Sequence, residues 1–487
     1  MELSRREGDS RRHGITVFGG EHVAEQASSE QRCDRPLWSI ESDRSHGSLP
    51  NDEPMSSGLV VNVPLRASGY VRRRRNASGM ASLRLLLASA PVPALPPLIV
   101  RLGLHDQFLL DESQGFRMDV IARSMAQAKG DPSLARSARD DYALGVLIDP
   151  DTWRNQQPFQ ERPPSYRKAS FGKGEPIDPE RRPLSAIEET AYVRAVLAEE
   201  AAGRATLFVP PYHLAGGPNC AIRSLDLRLA RKFINRFRSL RLDEPRPQDR
   251  FPRAGQVFPC VCIRASELLD AASRHHLARL YSKLDADGFI VKVAGLSERS
   301  SDKRVRAVAD FVFTLKKLSE RPVIIAGVKN LAFAFVAAGL DAAMLGIGEG
   351  EGFVPGGRAK GGGARPTYIR ALLRNVFTEN ANLATLLRAE ILFERIPCDC
   401  GHHPSKRPPH GPRERKLHTL TERLRDFNEA AAWAEHEAIA RLTARIRWTD
   451  KNALRTGFDS TPGTFLAVAE QADLTRRHLR LIARDAR

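Results

Sequence analysis

From about residue 96 the chain alternates short apolar runs with longer amphipathic stretches, and few architectures tolerate that alternation. The runs are LIV at 98–100, YALGVLIDP at 142–150, ATLFVPPYH at 205–213, VFPCVCI at 257–263, GFIVKVAG at 288–295, PVIIAG at 322–327 and AAMLGIG at 342–348. Each has strand length, and β-branched residues are prominent across the set. Between them, SLDLRLARKFINRFRSL, SELLDAASRHHLARLYSKL, KRVRAVADFVFTLKKL and NLAFAFVAAGL repeat apolar positions every three or four residues, as helices do. Strands joined by helix-length connections form a parallel sheet, because parallel neighbours require a crossover. No GxGxxG follows any of these strands. The expected fold is therefore α/β, a (β/α)8 barrel of the TIM type, rather than a doubly wound dinucleotide-binding sheet.

The rest of the chain divides around this region. Residues 1–80 are polar and basic, end in the charge run VRRRRN, and are predicted to be disordered; Met80 is a second candidate start of translation. Residues 81–430 are expected to hold the barrel, with a metal-binding subdomain at about 390–420, and residues 431–487 a C-terminal helical extension. The Pro-rich segment 151–190 follows a strand and so belongs on the C-terminal rim, where barrel loops carry function. GEGEGFVPGGRAKGGGARP, after the last strand, reads as a flexible loop.

Charge and cysteine content narrow the setting. Seventy-five Lys and Arg against 58 Asp and Glu give a net charge of +17, which favours a polyanionic partner, tRNA or DNA. LRLLLASAPVPALPPLIV is broken by Arg84 and by prolines, so no membrane span is expected. Six cysteines form no disulfide framework, and a reducing, cytoplasmic location follows. Cys260 and Cys262 alternate within one strand and read as buried core thiols. Homo-oligomerisation is left open.

Four groups of residues could carry chemistry. In CDCGHHPSKRPPHGPRERKLH, Cys398, Cys400 and His403 follow C-x-C-x2-H, and His418 comes fifteen residues later at the start of a helix. Two thiolates and two imidazoles suit tetrahedral zinc, and four protein ligands make such a site structural; His402 and His410 remain alternative ligands. The strand ends VAGLSER and IAGVKN, with Gly295, Leu296, Gly327 and Lys329, could bring backbone N–H groups against a phosphate or a planar ring. Asp149, Asp151, Glu298, Asp341, Glu349 and Glu351 lie beside strands, where paired carboxylates could do acid–base or glycosidic work. Lys292 stands in the middle of a strand, able to point into a barrel mouth as a Schiff-base former.

The ordered series GFIVKVAGLSER, KRVRAVADFVFTLKKL, PVIIAGVKNLAFAFVAAGLDAAM, CDCGHH and RKLHTLTERL resembles the second half of the tRNA-guanine transglycosylase family. That resemblance implies a barrel receiving a guanine or 7-deazaguanine base of tRNA or DNA, with Gly295 and Leu296 at the base. It also implies a structural zinc on Cys398, Cys400, His403 and His418. The family uses a nucleophilic Asp and a second Asp as acid or base. Its nucleophile would fall near Met344, where this chain has no carboxylate, so Asp149 and Asp341 are the catalytic candidates. The other readings are a barrel enzyme acting on a phosphorylated small molecule, with Lys292 as the residue to test, and a non-catalytic nucleic-acid-binding barrel.

Overall fold

The computed structural model describes residues 98–485 apart from short stretches, the longest being 111–119, 243–254 and 356–365. The expectations for residues 1–80 and Met80, for Glu349 and Glu351, and for most of the Gly-rich segment lie outside the described residues. The architecture is α/β. Nine strands form one sheet: β1 (Leu98–Arg101), β2 (Val120–Ser124), β3 (Gly145–Asp149), β4 (Leu207–Phe208), β5 (Gln256–Val257), β6 (Cys260–Arg264), β7 (Phe289–Ala294), β8 (Val323–Ala326) and β9 (Ala342–Gly346). All neighbours are parallel, in the order β5-β4-β3-β2-β1-β9-β8-β7-β6.

Every predicted run contributes to this sheet, and one run contributes two strands. VFPCVCI is split because Pro259 has no N–H and cannot extend a ladder. The Phe258 N–H donates to the Phe208 carbonyl on β4, at 2.8 Å, whereas the Pro259 carbonyl accepts from Ile290 on β7, at 3.0 Å. The same short piece of chain thus bonds to opposite ends of the strand order.

Period-two alternation decides what faces inward. Ile99, Val120, Ala122, Leu147, Leu207, Cys260, Cys262, Ile290, Ala294, Ile324, Ala326, Ala342 and Met344 pack as one apolar cluster drawn from β1–β4 and β6–β9. The cysteines are buried thiols, and burial, with the neighbouring thiol, pushes Cys260 well above its ordinary pKa. Helices 186–202, 221–242, 271–282, 302–319 and 331–337 connect successive strands. The first begins with a capping box, Ser185 and Glu188 satisfying each other's backbone N–H groups.

After β9 the chain forms a hairpin, β10 (Pro366–Ile369) with β11 (Arg374–Phe377), then helices 383–395 and 411–431. Arg423 of the second helix reaches the Gly346 carbonyl at the end of β9, at 3.0 Å. The C-terminal helix 464–485 lies against helix 302–319, where Thr475 Oγ1 donates to Asp310 at 2.7 Å. Among the described residues, no helix is long and apolar enough to cross a membrane.

Candidate functional site

Four polar side chains meet at the C-terminal ends of the strands. Lys292 occupies the fourth position of β7 between inward-facing Ile290 and Ala294, so its ammonium points into the sheet's concave interior. Its Nζ donates to Asp149 Oδ2 at 2.6 Å, to Asp151 Oδ1 at 2.9 Å and to the Tyr212 hydroxyl at 2.8 Å. Asp149 ends β3; its other oxygen accepts from Tyr212 OH at 2.5 Å and from the Asp151 N–H at 2.9 Å. Asp151 sits in the left-handed region at φ +50°, which turns its carboxylate back toward Lys292, and Trp153 Nε1 donates to it at 3.2 Å. Two positive charges flank the group: Arg101 lies 3.9 Å from Asp151, and the Arg154 guanidinium stacks 4.6 Å over Trp153.

The cluster is almost sealed. Asp149, Asp151 and Lys292 are at most 7% exposed, and Tyr212 is buried. Phe353 covers it, with its ring 5.0 Å from Lys292 Nζ and 5.2 Å from Trp153, edge to face. Burial alone would discharge Lys292, but the Asp149 and Asp151 carboxylates outweigh it and hold the pKa above lysine's usual value. Burial likewise opposes the charge on Asp151, yet Lys292, then Arg101 and Arg154, keep that carboxyl well below the ordinary range. Tyr212 is pushed up by burial and by the nearby carboxylates, so it remains a phenol and a donor.

These shifts fix a pH window. Asp151, depressed on folding, contributes stability that is complete above its unfolded pKa of about 3.9 and is lost as pH falls below it. Lys292, raised on folding, contributes fully below its unfolded pKa of about 10.4 and loses that contribution as pH rises toward the folded value. The contribution of this pair, read as the difference in urea midpoint between wild type and Lys292→Met, should therefore be flat between those limits. In Lys292→Met the alkaline decline should flatten.

The structure separates the two candidate catalytic aspartates. Asp341 precedes β9 and Asp149 ends β3; in a parallel sheet these are opposite rims. Asp341 instead pairs with Lys316 at 2.9 Å and accepts from the Val323 N–H at 3.0 Å, closing the lower edge of β8. Met344 stands on the inner face, in register with Ala326, which pairs with Lys292. Glu298 accepts from Asn330 at 3.4 Å and has no link to Lys292 or Asp149.

The predicted binding glycines lie on the same rim as Lys292. Gly295 and Gly327 follow β7 and β8 with φ of +73° and +80°. The Gly295 N–H donates to the Phe353 carbonyl at 3.3 Å, and a Cβ at Gly295 would meet nothing within 4 Å. At Gly327 a Cβ would come within 2.7 Å of both Phe353 and the Val293 carbonyl, so only glycine lets Phe353 settle over the cluster. Leu296 is buried, and Lys329 is half-buried at φ +52°.

Sequence reasoning missed Tyr212 and the network behind it. His213, wholly buried, pairs through Nδ1 with Asp226 at 2.7 Å and lies 3.3 Å from the Tyr192 hydroxyl. Thr152 and Tyr212 are tied at 2.7 Å in both directions, which holds the two strand-end loops together. The one available signal was a polar-tipped aromatic directly after a strand, in FVPPYH.

A second cluster could hold a metal. The ligand atoms of Cys398, Cys400, His403 and His418 lie within 4.8 Å of one another. Gly401, at φ +78°, lets the chain turn so that His403 faces inward. His402 turns away to Thr421, at 2.9 Å, and His410 is exposed beside Glu379. His418 Nε2 donates to the Tyr368 carbonyl at 2.9 Å and His403 Nδ1 to the Arg407 carbonyl at 2.8 Å, which leaves His418 Nδ1 and His403 Nε2 as acceptors 3.0 Å apart. Two facing lone pairs are unfavourable unless a proton or a cation lies between them. Both sulfurs accept backbone N–H bonds, at 3.4 Å each, as thiolate ligands do.

No family model matches the chain. No curated protein matches it either. Among solved structures it is similar to the fructuronate-tagaturonate epimerase UxaE from Cohnella laeviribosi, at 11% identity over 80% of this chain and 85% of that one, with a TM-score of 0.26. So distant a likeness carries no argument about chemistry, which has to come from the side chains themselves.

Proposed function

We propose that the chain is a barrel enzyme whose reaction centre is Asp149, Asp151, Tyr212 and Lys292, acting by acid–base chemistry on an anionic, phosphate-bearing small molecule. The carrying observation is Lys292 Nζ within 2.9 Å of Asp149, Asp151 and Tyr212 at the C-terminal ends of parallel strands. A buried ion pair is poor value for stability, since well-packed apolar residues do as well or better, so a cluster like this is better accounted for by chemistry. In this reading the sheet closes as a (β/α)8 barrel, with β5 and β6 as the two halves of one strand; the divided bonding of Phe258 and Pro259 supports it. Lys292 is the charged donor for an oxygen that gains negative charge, and Asp149 takes the proton. Arg101, Arg154 and Lys329 supply the positive rim for a phosphate.

The raised pKa of Lys292 argues against a Schiff base, which requires the free amine. Borohydride added in the presence of sugar phosphates should leave the mass of the protein unchanged. The reading itself is tested by incubating the chain with phosphorylated aldoses and ketoses in heavy water and following hydrogen exchange by NMR. Exchange that is lost in Asp149→Asn supports it; a wild-type chain inert across the panel rejects it.

A second reading, base exchange on guanine or 7-deazaguanine in tRNA or DNA, is favoured by one observation. The 398–418 cluster gathers the four ligands expected of a transglycosylase-like zinc clamp, His403 taking the place of a cysteine. The donor set fits zinc, which would tie helix 411–431 to the loop 398–403 and take no part in chemistry. Labelled guanine offered with tRNA and with DNA tests this reading, and absence of incorporation into both rejects it.

A further inference from the structure

Neither reading uses helix 438–456 or the turn before it. Arg441, Arg445, Trp448, Lys451 and Arg455 recur at intervals of four, three, three and four residues, which places them on one helix face. The helix carries five basic residues and one acidic residue, Asp450, whose carboxylate is occupied by the Thr461 N–H at 2.6 Å. Its first half, with Glu429 and Trp433, lines a cleft of about 330 Å³, a volume at the lower end of small-ligand sites.

The walls of the cleft have a definite chemistry. Trp448 is 42% exposed, and the Arg445 guanidinium lies 4.5 Å over its ring. Arg445 is itself held by Asp426 at 2.6 Å and by the Arg370 carbonyl at 3.0 Å, while its buried Nε has no partner. Trp433 is fixed edge-on against Phe333, 6.0 Å between centroids. Glu429, anchored by Arg370 at 2.6 Å, puts one carboxylate among these groups. A carboxylate in the wall repels phosphate and accepts from ring or amino N–H groups. Arg441, at the start of the helix, is paired with Glu437 at 2.7 Å. Aromatic faces with an arginine inside, and cations such as Lys451 and Arg455 farther along the helix, are what an unpaired base on a phosphate chain requires.

We infer that this cleft binds single-stranded nucleic acid, with one base against Trp448 and the adjoining phosphates along Lys451 and Arg455. The inference holds under either reading of the strand-end site, because binding is measured without turnover. The test is anisotropy of a labelled single-stranded oligonucleotide with the full chain at about 50 mM and about 200 mM salt. Trp448→Ala should weaken binding roughly tenfold or more, and Trp448→Phe should restore most of it. Lys451→Ala combined with Arg455→Ala should lower the slope of log affinity against log salt by roughly 1.4. All three side chains are exposed, so these variants should melt as wild type does. Absence of binding by wild type, Trp448→Ala within about twofold of it, or duplex bound as tightly as single strand would each overturn the inference.

Discussion

Lys292→Met is expected to destabilise the chain by about 3–5 kcal/mol and to abolish turnover. The destabilisation comes from what remains, not from what is removed. Asp149 and Asp151 would be left buried side by side, with the partner that lies within 2.9 Å of both taken away. Combining Lys292→Met with Asp149→Asn removes one of the stranded charges and should recover about half of the loss, a coupling typical of contacting residues. Activity should not return in the double variant. Equilibrium urea unfolding of the two single variants and the double variant measures the coupling directly. A Lys292→Met chain within about 1 kcal/mol of wild type would mean that water reaches the cluster and that the ion pair is ornamental.

The second large effect concerns the Cys398 cluster. Purified chain should hold one zinc, and Cys398→Ser or Cys400→Ser should release it at a cost of about 4 kcal/mol or more, because a structural metal contributes its binding energy to folding. His402→Ala should leave the metal content untouched, since that ring bonds Thr421 and faces away. Elemental analysis of the four proteins separates the outcomes. Zinc lost with His402 but retained without Cys398 would show the ligand set to be wrong.

Much of the fold was legible because period-two runs and helical stretches alternate so regularly. The hairpin β10–β11 was not foreseen, and in the nine-stranded sheet the strand that escaped was β2, VIARS. It has five residues and contains an arginine, and nothing local reveals that Arg123 will be wholly buried with its guanidinium bonded to the Gln127 and Asp131 carbonyls. Long-range burial overrode the local pattern. The strand-end cluster was half legible: a lysine inside FIVKVA and an aspartate ending GVLID are conspicuous as charges in apolar runs. Tyr212 was not, because it arrives through a Pro-Pro turn whose direction the sequence does not encode. Asp341 looked equivalent to Asp149 only while strand polarity was ignored; a residue before a parallel strand and one after it cannot share a rim. For the metal cluster, the spacing picked out four residues that the structure does bring together, while the backbone turn at Gly401 is what sets His403 rather than His402 against the others.

The pairing of β1 with β9 bears on how the chain is made. Leu98 bonds in register with Ala343, so the first described strand has one edge that is completed only after all the others have been synthesised. At roughly 5–20 residues per second, a ribosome delivers Ala343 tens of seconds after Leu98. Throughout that interval the open edge of β1 is available to any other strand. Helper proteins that shield nascent chains during that interval should therefore raise the yield of folded protein.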